Sequence, residues 1–585
     1  MPVTTTTSEW PTTNTEHGLL VAFGEFLQQH GLVERLMRVP IPQKTRTFAP
    51  QTKLVEFLAG IMSGMEYLSD LNDGAQPLAK DTVVARAWGQ PGFAHYSNVS
   101  RTLEVCDETT VAAVERAIND FSRPFIDQVV HDLLRRGEPI IYDLDLTGQA
   151  VSPTSQTYPG VAFGWMNDQV KLGYQLARVC LSPREQARVW VAGFHHPGDT
   201  VSVVCVEDLI RAAETQTRVR PRRRTELVQQ RIVAQQDSVS RIQRLLHQQQ
   251  ARLAQLQQTQ TDLIGKAYHA DEVLKGPISA QKSARLTRRV AGWRKRRPRL
   301  DKQIATCTRV IAQHQARLTQ QQATLTELYT WLTQLEADNR TNPDPPAYCE
   351  ARMDAGFVSG ENLAWLIEMG YCPNTKAPND QTTTALRARV TSRTRWVRVG
   401  DNAEMTAWPE YDLHGCPYPL TVALERFKVG RQYKYATLIH YRDDGWFPTL
   451  PAWFQHYNQR QTIEAGNKEM KGTFFVQHLM SRSPAGIRLQ VLFTGLAANA
   501  VRWCTPWLHS CVATPTPKFM RTLNSPKHLV RMAANTDALV QYTQDRIAVQ
   551  FAPQSPLSGV TLFLKGVPAF QLALGFNQPC EISSG

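Results

Sequence analysis

The run Pro139-Ile140-Ile141-Tyr142-Asp143-Leu144-Asp145-Leu146-Thr147 governs the reading of the chain around it. After an apolar start it alternates with a period of two, the pattern of a β-strand. Asp143 and Asp145 therefore share one face, near the strand end and beside Thr147. Two more strand-like runs follow, Gly173 to Leu181 and Ala187 to Phe194, then a turn at His196-Pro197-Gly198-Asp199 and a helix beginning near Thr200. Three strands followed by a helix open an α/β domain. Further on, Ala347-Tyr348-Cys349-Glu350-Ala351-Arg352-Met353-Asp354 returns to the strand pattern, ends on an aspartate and is broken by Gly356; Gly360 to Met369 reads as an amphipathic helix. Carboxylates at the carboxyl ends of strands in an open α/β sheet lie where ligands bind.

Between these two parts the period changes. Ile232, Val239, Leu246 and Leu253 are spaced by seven, with Val228, Ile242, Leu256 and Leu263 on a companion track; the pattern resumes at Ile304, Ile311, Leu318, Leu325 and Leu332. Heptads amid Gln-rich positions are a coiled-coil signature. Two such helices, joined by about 35 residues, fold back most simply as an antiparallel hairpin, with pairing between two chains as the competing arrangement. The charge collects here. From Thr215 to Lys302 there are 21 Lys/Arg against 6 Asp/Glu, an excess of 15 in a chain whose total is +13. Such an excess at the base and tip of a projecting hairpin points to phosphate backbones, with Trp293, Arg294, Lys295, Arg296 and Arg297 as the densest candidates for DNA contact.

A patterned helix, Trp453 to Met470, carries polar chemistry on one stripe. Tyr457, Glu464 and Lys471 are seven apart, Arg460 lies between the first two, and Lys468 joins the face four after Glu464. A solvated face held by Arg460–Glu464 and Glu464–Lys468 pairs is the competing reading. Two strand-end aspartates and a helix glutamate can together hold two divalent ions about 4 Å apart, and all-oxygen ligands suit Mg²⁺ or Mn²⁺.

At these residues a resemblance becomes specific. Tyr457-x2-Arg460-x3-Glu464-x6-Lys471 matches without a gap the Y-R-E-K signature of IS4-type DDE transposases of bacterial insertion sequences. Asp145-x-Thr147 is similar to that family's first-aspartate strand, Arg352-Met353-Asp354-Ala355-Gly356-Phe357 to its second-aspartate motif, and His196-Pro197-Gly198-Asp199 to its R-P-G-N turn. The resemblance covers residues 135–505 apart from the hairpin, which has no place in the family pattern. It implies an RNase H-like core acting on transposon ends as a synaptic homodimer, with Asp145, Asp354 and Glu464 as the catalytic, metal-binding triad and two Mg²⁺ (or Mn²⁺) ions per site. It also implies that Tyr457, Arg460 and Lys471, with neighbouring Lys468, grip DNA phosphates. End cleavage through a DNA hairpin would call for a tryptophan of the β insertion to stack a flipped base, and Trp396 and Trp446 are the candidates, packing being the other use of each. Asp143 competes with Asp145 for the place of first ligand; the x-Thr spacing favours Asp145. Asp401 is a weaker competitor for the second.

The expected layout is therefore α/β: a disordered tail (1–17), a helical N-terminal domain (18–134) that serves either for DNA-end binding or as a structural cap, a core in three parts (135–214, 341–378 and 447–510), a coiled-coil hairpin insertion (215–340), a small β-rich insertion (379–446) and a C-terminal region (511–585). A 42% hydrophobic fraction excludes a mainly disordered chain. Ten scattered cysteines, no two of them three apart, offer no CxxC zinc or redox motif. With no apolar run of membrane-spanning length and no signal-peptide pattern, the chain is expected to stay inside the cell with no membrane partner; the resemblance implies the bacterial cytoplasm, at the nucleoid, with double-stranded DNA as partner. A catalytically silent DNA-binding derivative and a coiled-coil structural protein are the other classes; the second leaves the order of the carboxylates unexplained.

Overall fold

The computed structural model describes residues 12–166, 168–184, 187–346, 348–377, 380–441, 447–512, 519, 523, 525–543 and 546–564. It is a mixed α/β structure of two compact units. One comprises Met1–Pro221, Pro345–Ile367 and Tyr371–Gly585; the other comprises Arg222–Asp344 with Glu368–Gly370.

The strands of the first unit are β1 (Thr12–Thr15), β2 (Ile140–Ala150), β3 (Ala162–Met166), β4 (Gln169–Leu181), β5 (Val189–Pro197), β6 (Cys349–Arg352), β7 (Cys372–Lys376), β8 (Val397–Arg398), β9 (Ala403–Tyr411), β10 (Leu420–Val429), β11 (Gln432–His440), β12 (Ala538–Tyr542), β13 (Ile547–Phe551) and β14 (Thr561–Phe563). Ten of them form one mixed sheet in the order β3-β4-β2-β6-β7-β11-β10-β9-β8, with β5 also on β4. At its centre β2 and β6 run parallel, Asp143 opposite Arg352, and β7 runs parallel to β6. β4 is antiparallel to β2, opposing Asp145 to Arg178. β3, a short strand whose Phe163 and Trp165 are exposed, carried no legible signal in the sequence.

The β-rich insertion expected over 379–446 is not a separate sheet. After a helix (Asp380–Ala388), β11 pairs with β7 through Leu438–Lys376, Ile439–Thr375 and His440–Asn374, so β8–β11 prolong the central sheet. The free edge of β7 would otherwise leave backbone N–H and C=O groups without partners.

The N-terminal helices have no core to themselves either. Phe23, Phe57, Trp88 and Phe121 belong to one hydrophobic cluster with Phe493, Trp507, Leu529 and Val549. The link is the long helix Pro484–Cys511, started by Ser483, whose Oγ accepts from Gly486 N at 3.0 Å. Trp88 is wholly buried and satisfies its indole N–H on the Leu20 carbonyl at 3.0 Å. Nor is the described end of the expected tail free: β1 pairs antiparallel with β12, Thr12 opposite Gln541, in a four-stranded sheet with β13 and β14.

The second unit is the hairpin. Its helices, Thr225–Lys275 and Ala280–Arg340, are separated by four residues beginning Gly276-Pro277, not by the long loop expected. Lys and Arg are good helix formers, so the basic stretch continues the helix, and Gly then Pro ends the first arm. The arms are antiparallel: Gln235 Nε2 donates to the Gln321 carbonyl at 2.8 Å, Cys307 Sγ to the Gln249 carbonyl at 3.3 Å, and Arg294 meets Asp271 at 3.0 Å. The predicted seam thus closes within one chain, with Val228, Ile232, Val239, Ile242, Ile311, Leu328 and Leu335 buried. Among the described residues no helix is long and apolar enough to cross a membrane.

Candidate active site

Strand β2 brings both aspartates to one face, as its alternation requires, but it gives them different company. Asp143 is completely buried. Arg352 of β6 grips it bidentately at 2.7 and 3.0 Å, Arg188 adds a third charged hydrogen bond at 2.8 Å, and Ser182 Oγ donates at 2.5 Å. Four donors converge on that carboxylate, three on Oδ2 and one on Oδ1. Arg352 also donates to the His456 carbonyl at 2.9 Å, tying β6 to the helix Leu450–Asn458 above it. Asp143 is an internal anchor between strand and helix.

Asp145, two residues on, meets the chemistry. Arg460 Nη2 lies 3.2 Å from Asp145 Oδ1 and 3.5 Å from Asp354 Oδ2, so one guanidinium spans two carboxylates delivered by neighbouring parallel strands. Asp354 follows the end of β6 and caps a short 3₁₀ turn, Ala355–Phe357, with Oδ1 accepting from Gly356 N at 2.9 Å. A Cβ on Gly356 would come within 3.2 Å of that oxygen, so glycine permits the close approach. Burial pushes the Asp354 carboxyl above the usual carboxylate range; Arg460 opposes the shift and neighbouring Asp145 reinforces it.

The helix expected over Trp453–Met470 is two helices, Leu450–Asn458 and Gln461–Gly472. The junction closes with tight bonds, Arg460 N to the Tyr457 carbonyl at 3.0 Å and Ile463 N to the Arg460 carbonyl at 2.8 Å. Arg460 sits at this junction and directs its charge to the aspartates. Glu464 makes no ion pair among the described residues, so the helix-face pairs Arg460–Glu464 and Glu464–Lys468 are not formed. Glu464 is exposed on the second helix, here called the site helix. Buried Ile463 and Met470 seat that helix.

Asn467, one turn after Glu464, was not singled out by the sequence, although its spacing puts it on the Arg460–Glu464–Lys471 stripe. Its Nδ2 donates to Asp145 Oδ2, and its Oδ1 is buried without a partner. Lys471 is partly buried and burial lowers its ammonium pKa, which Asp145 counteracts and Arg178 reinforces. Lys468 is exposed. Tyr457 is buried: its hydroxyl donates to the Met353 carbonyl at 3.4 Å, and burial pushes the phenol up.

The remaining candidates lie apart. Trp396 is half-buried under the Arg426 guanidinium, 4.0 Å from its ring centroid, and Arg426 in turn pairs with Glu404 at 2.7 Å. Trp446 lies outside the described residues. On the hairpin, Arg294, Lys295, Arg296 and Arg297 are exposed and Trp293 is half-buried. Arg223, in the basic run at the hairpin base, is buried on Asp338 at 3.0 Å and on the Met369 carbonyl at 2.9 Å, a structural use of charge. Asp401 is fully exposed, 4.0 Å from Arg398.

Beneath the first of the two helices, buried Glu350 accepts from His456 Nε2 at 2.9 Å and from Asn374 Nδ2 at 2.9 Å, and Trp453 Nε1 donates to Asn374 Oδ1 at 3.0 Å. Burial alone would raise the Glu350 pKa, but His456, Arg352 and His440 hold it at about 2.

The donors around Asp145 suit a hard divalent cation. They are carboxylate oxygens together with an orphaned amide oxygen, and neither thiolate nor imidazole joins them. Among the described residues no three Asp, Glu, His or Cys side chains gather round one point; Arg460 holds the place between the aspartates. No model of a known protein family matches the chain, and no curated protein matches it significantly.

Proposed function

We propose that this chain is a metal-dependent DNA transposase that cleaves at the terminal inverted repeats of its element and joins the freed ends to target DNA, using an RNase H-like core. The observation that carries the reading is the sharing of Arg460 by Asp145 and Asp354, from neighbouring parallel strands, at the foot of the helix that bears Glu464. Support for the core comes from the mixed sheet, three antiparallel strands followed by two parallel ones, with Asp145 on β2 and Asp354 just beyond the end of neighbouring β6. Asp145, Asp354 and Glu464 would hold Mg²⁺ or Mn²⁺, two ions to a site, which would supply Lewis-acid activation of a water or 3′-hydroxyl nucleophile and stabilisation of the leaving oxygen.

The chain's own residues do the rest. Arg460 neutralises two carboxylates that would otherwise repel each other, and Asn467 fixes the orientation of Asp145. Lys468 and Lys471 bring positive charge to phosphates of the cut strand. Tyr457 braces the Met353 carbonyl beside Asp354. The exposed cations Arg294–Arg297 of the hairpin supply sequence-independent grip on duplex DNA, and two copies of the chain synapse the two ends.

Cleavage of a labelled duplex carrying the element's own terminal repeats tests this, with wild type and Glu464→Gln compared in Mg²⁺ and in EDTA. The expected result is metal-dependent nicking at the repeat boundary, lost in Glu464→Gln while binding persists. A second reading is a catalytically silent DNA-binding protein derived from such an enzyme. It predicts that both proteins bind the ends and neither cuts with Mg²⁺ or Mn²⁺.

A further inference from the structure

The site helix has a second working face. Thr462, Gly466 and Glu469 lie on it and, with β4, β5 and the helix Pro484–Cys511, enclose a cavity of about 380 Å³. Among the described residues five arginines line the cavity, and Glu469, which also lines it, pairs with Arg502 at 2.8 Å; Asp143 is shared by Arg188 and Arg352.

Two of these guanidiniums keep buried N–H groups without a partner among the described residues. Arg178 is 2% exposed, yet it has no carboxylate partner within ion-pair distance among the described residues. It donates to the Ile463 carbonyl at 2.8 Å and to Met470 Sδ at 2.9 Å, and its buried Nε has no partner. Burial lowers its pKa, a sign of an incompletely compensated buried cation. Arg188 donates to Asp143, Ser182 and Thr462, and its buried Nη1 is likewise without a partner. Both guanidiniums approach the helix at Gly466, where an added Cβ would lie 3.6 Å from Arg178 Nη2 and 4.0 Å from Arg188 Nη1. Any larger side chain would enter the space in front of them. Trp190 supplies an apolar wall, with the Arg178 guanidinium 5.9 Å from its ring centroid.

Buried N–H donors without partners on two guanidiniums, beside an aromatic wall in a cavity of ligand size, are the chemistry of phosphate recognition. We propose that this cavity binds a phosphate-bearing ligand, with Arg178 and Arg188 taking its oxygens across Gly466. The phosphate belongs to a small molecule such as a mononucleotide or to a DNA strand end. Gly466 faces about 100° round the helix from Asn467, and the site does not depend on the reaction proposed above.

The test is isothermal titration of the full chain with inorganic phosphate and with dAMP, at constant ionic strength set with chloride, for wild type, Gly466→Ala and Gly466→Leu. Saturable binding to wild type, weakened about tenfold in Gly466→Leu with an unchanged circular dichroism spectrum, is expected. Gly466→Ala, whose methyl makes only ordinary contacts, keeps the test alive should the larger variant fail to fold; it should show a smaller loss in the same direction. Anisotropy with a 5′-phosphorylated duplex separates the sources: competition by phosphate and weakening in the Gly466 variants identify a strand end, whereas unchanged duplex binding identifies a small ligand. Absence of saturable heat with wild type, or equal affinity in wild type and a folded Gly466→Leu protein, overturns the proposal.

Discussion

Two aspartates on one strand face, two residues apart, should behave in opposite ways when neutralised. In Asp143→Asn the carboxylate at the centre of Arg352, Arg188 and Ser182 is lost from a position with no solvent exposure. Two nearly buried guanidiniums remain, and the new amide presents N–H to donors. Removing one partner of such a buried network costs about 3–5 kcal/mol. In Asp145→Asn the partner Arg460 keeps Asp354 at 3.5 Å, and the repulsion between Asp145 and Asp354 that helps raise the Asp354 pKa is relieved. The net cost there is about 1 kcal/mol. Urea unfolding in EDTA, followed by near-ultraviolet circular dichroism of the same transition, compares the midpoints. Asp143→Asn should shift the midpoint down at least twice as far as Asp145→Asn, while Asp145→Asn alone should abolish cleavage with stability largely kept. Equal shifts, or a larger one for Asp145→Asn, would refute the assignment of Asp143 as anchor and Asp145 as site residue.

Other consequences can be checked with similar means. The Glu350 pKa lies at about 2, below the ordinary 4.5, so its stabilising effect is complete above about 4.5 and disappears as pH falls toward 2. Glu350→Gln should lower the melting temperature at pH 7 and flatten that acid limb; an unchanged limb would contradict the network. Glu56, fully buried with one oxygen accepting from Ala94 N at 2.8 Å, has its pKa pushed up to about 8 by burial, opposed by that bond and by Lys53. A raised carboxyl pKa favours the fold at low pH, so wild type should lose stability as pH rises from about 4.5 to 8, and Glu56→Gln should not; thermal unfolding across that range decides. Replacing Arg294, Lys295, Arg296 and Arg297 by Gln should weaken binding of unrelated duplexes alike and reduce the salt-dependence slope by about 0.9 for each lost phosphate contact; no change in slope would remove the hairpin from the DNA interface. Gly24→Ala should destabilise the helical cluster, because the added Cβ would fall 2.4 Å from the Trp88 ring; a melting temperature equal to wild type would show that the ring yields freely.

What the sequence determined by itself are the features whose signal repeats along the chain. Alternation over Ile140–Thr147 places Asp143 and Asp145 on one strand face, and heptads at Ile232–Leu253 and Ile304–Leu332 make two coiled-coil helices, because side-chain period is a local property of the backbone; that they pair within one chain was decided by the fold. The same period could not separate Asp143 from Asp145: both sit on the same face, and only the approach of Arg352 from β6 and of Arg188, just before β5, distinguishes an anchor from an available carboxylate. Spacing grouped Arg460 with Glu464, but the break before Gln461 and the pull of two aspartates set its partners. The pairing of β11 with β7, the shared core of the N-terminal helices with the C-terminal region, and the burial of Arg223 and Arg178 are likewise invisible in local pattern. Each depends on residues tens to hundreds of positions apart competing for the same edge, core space or charge, and that competition is decided only when the chain is folded.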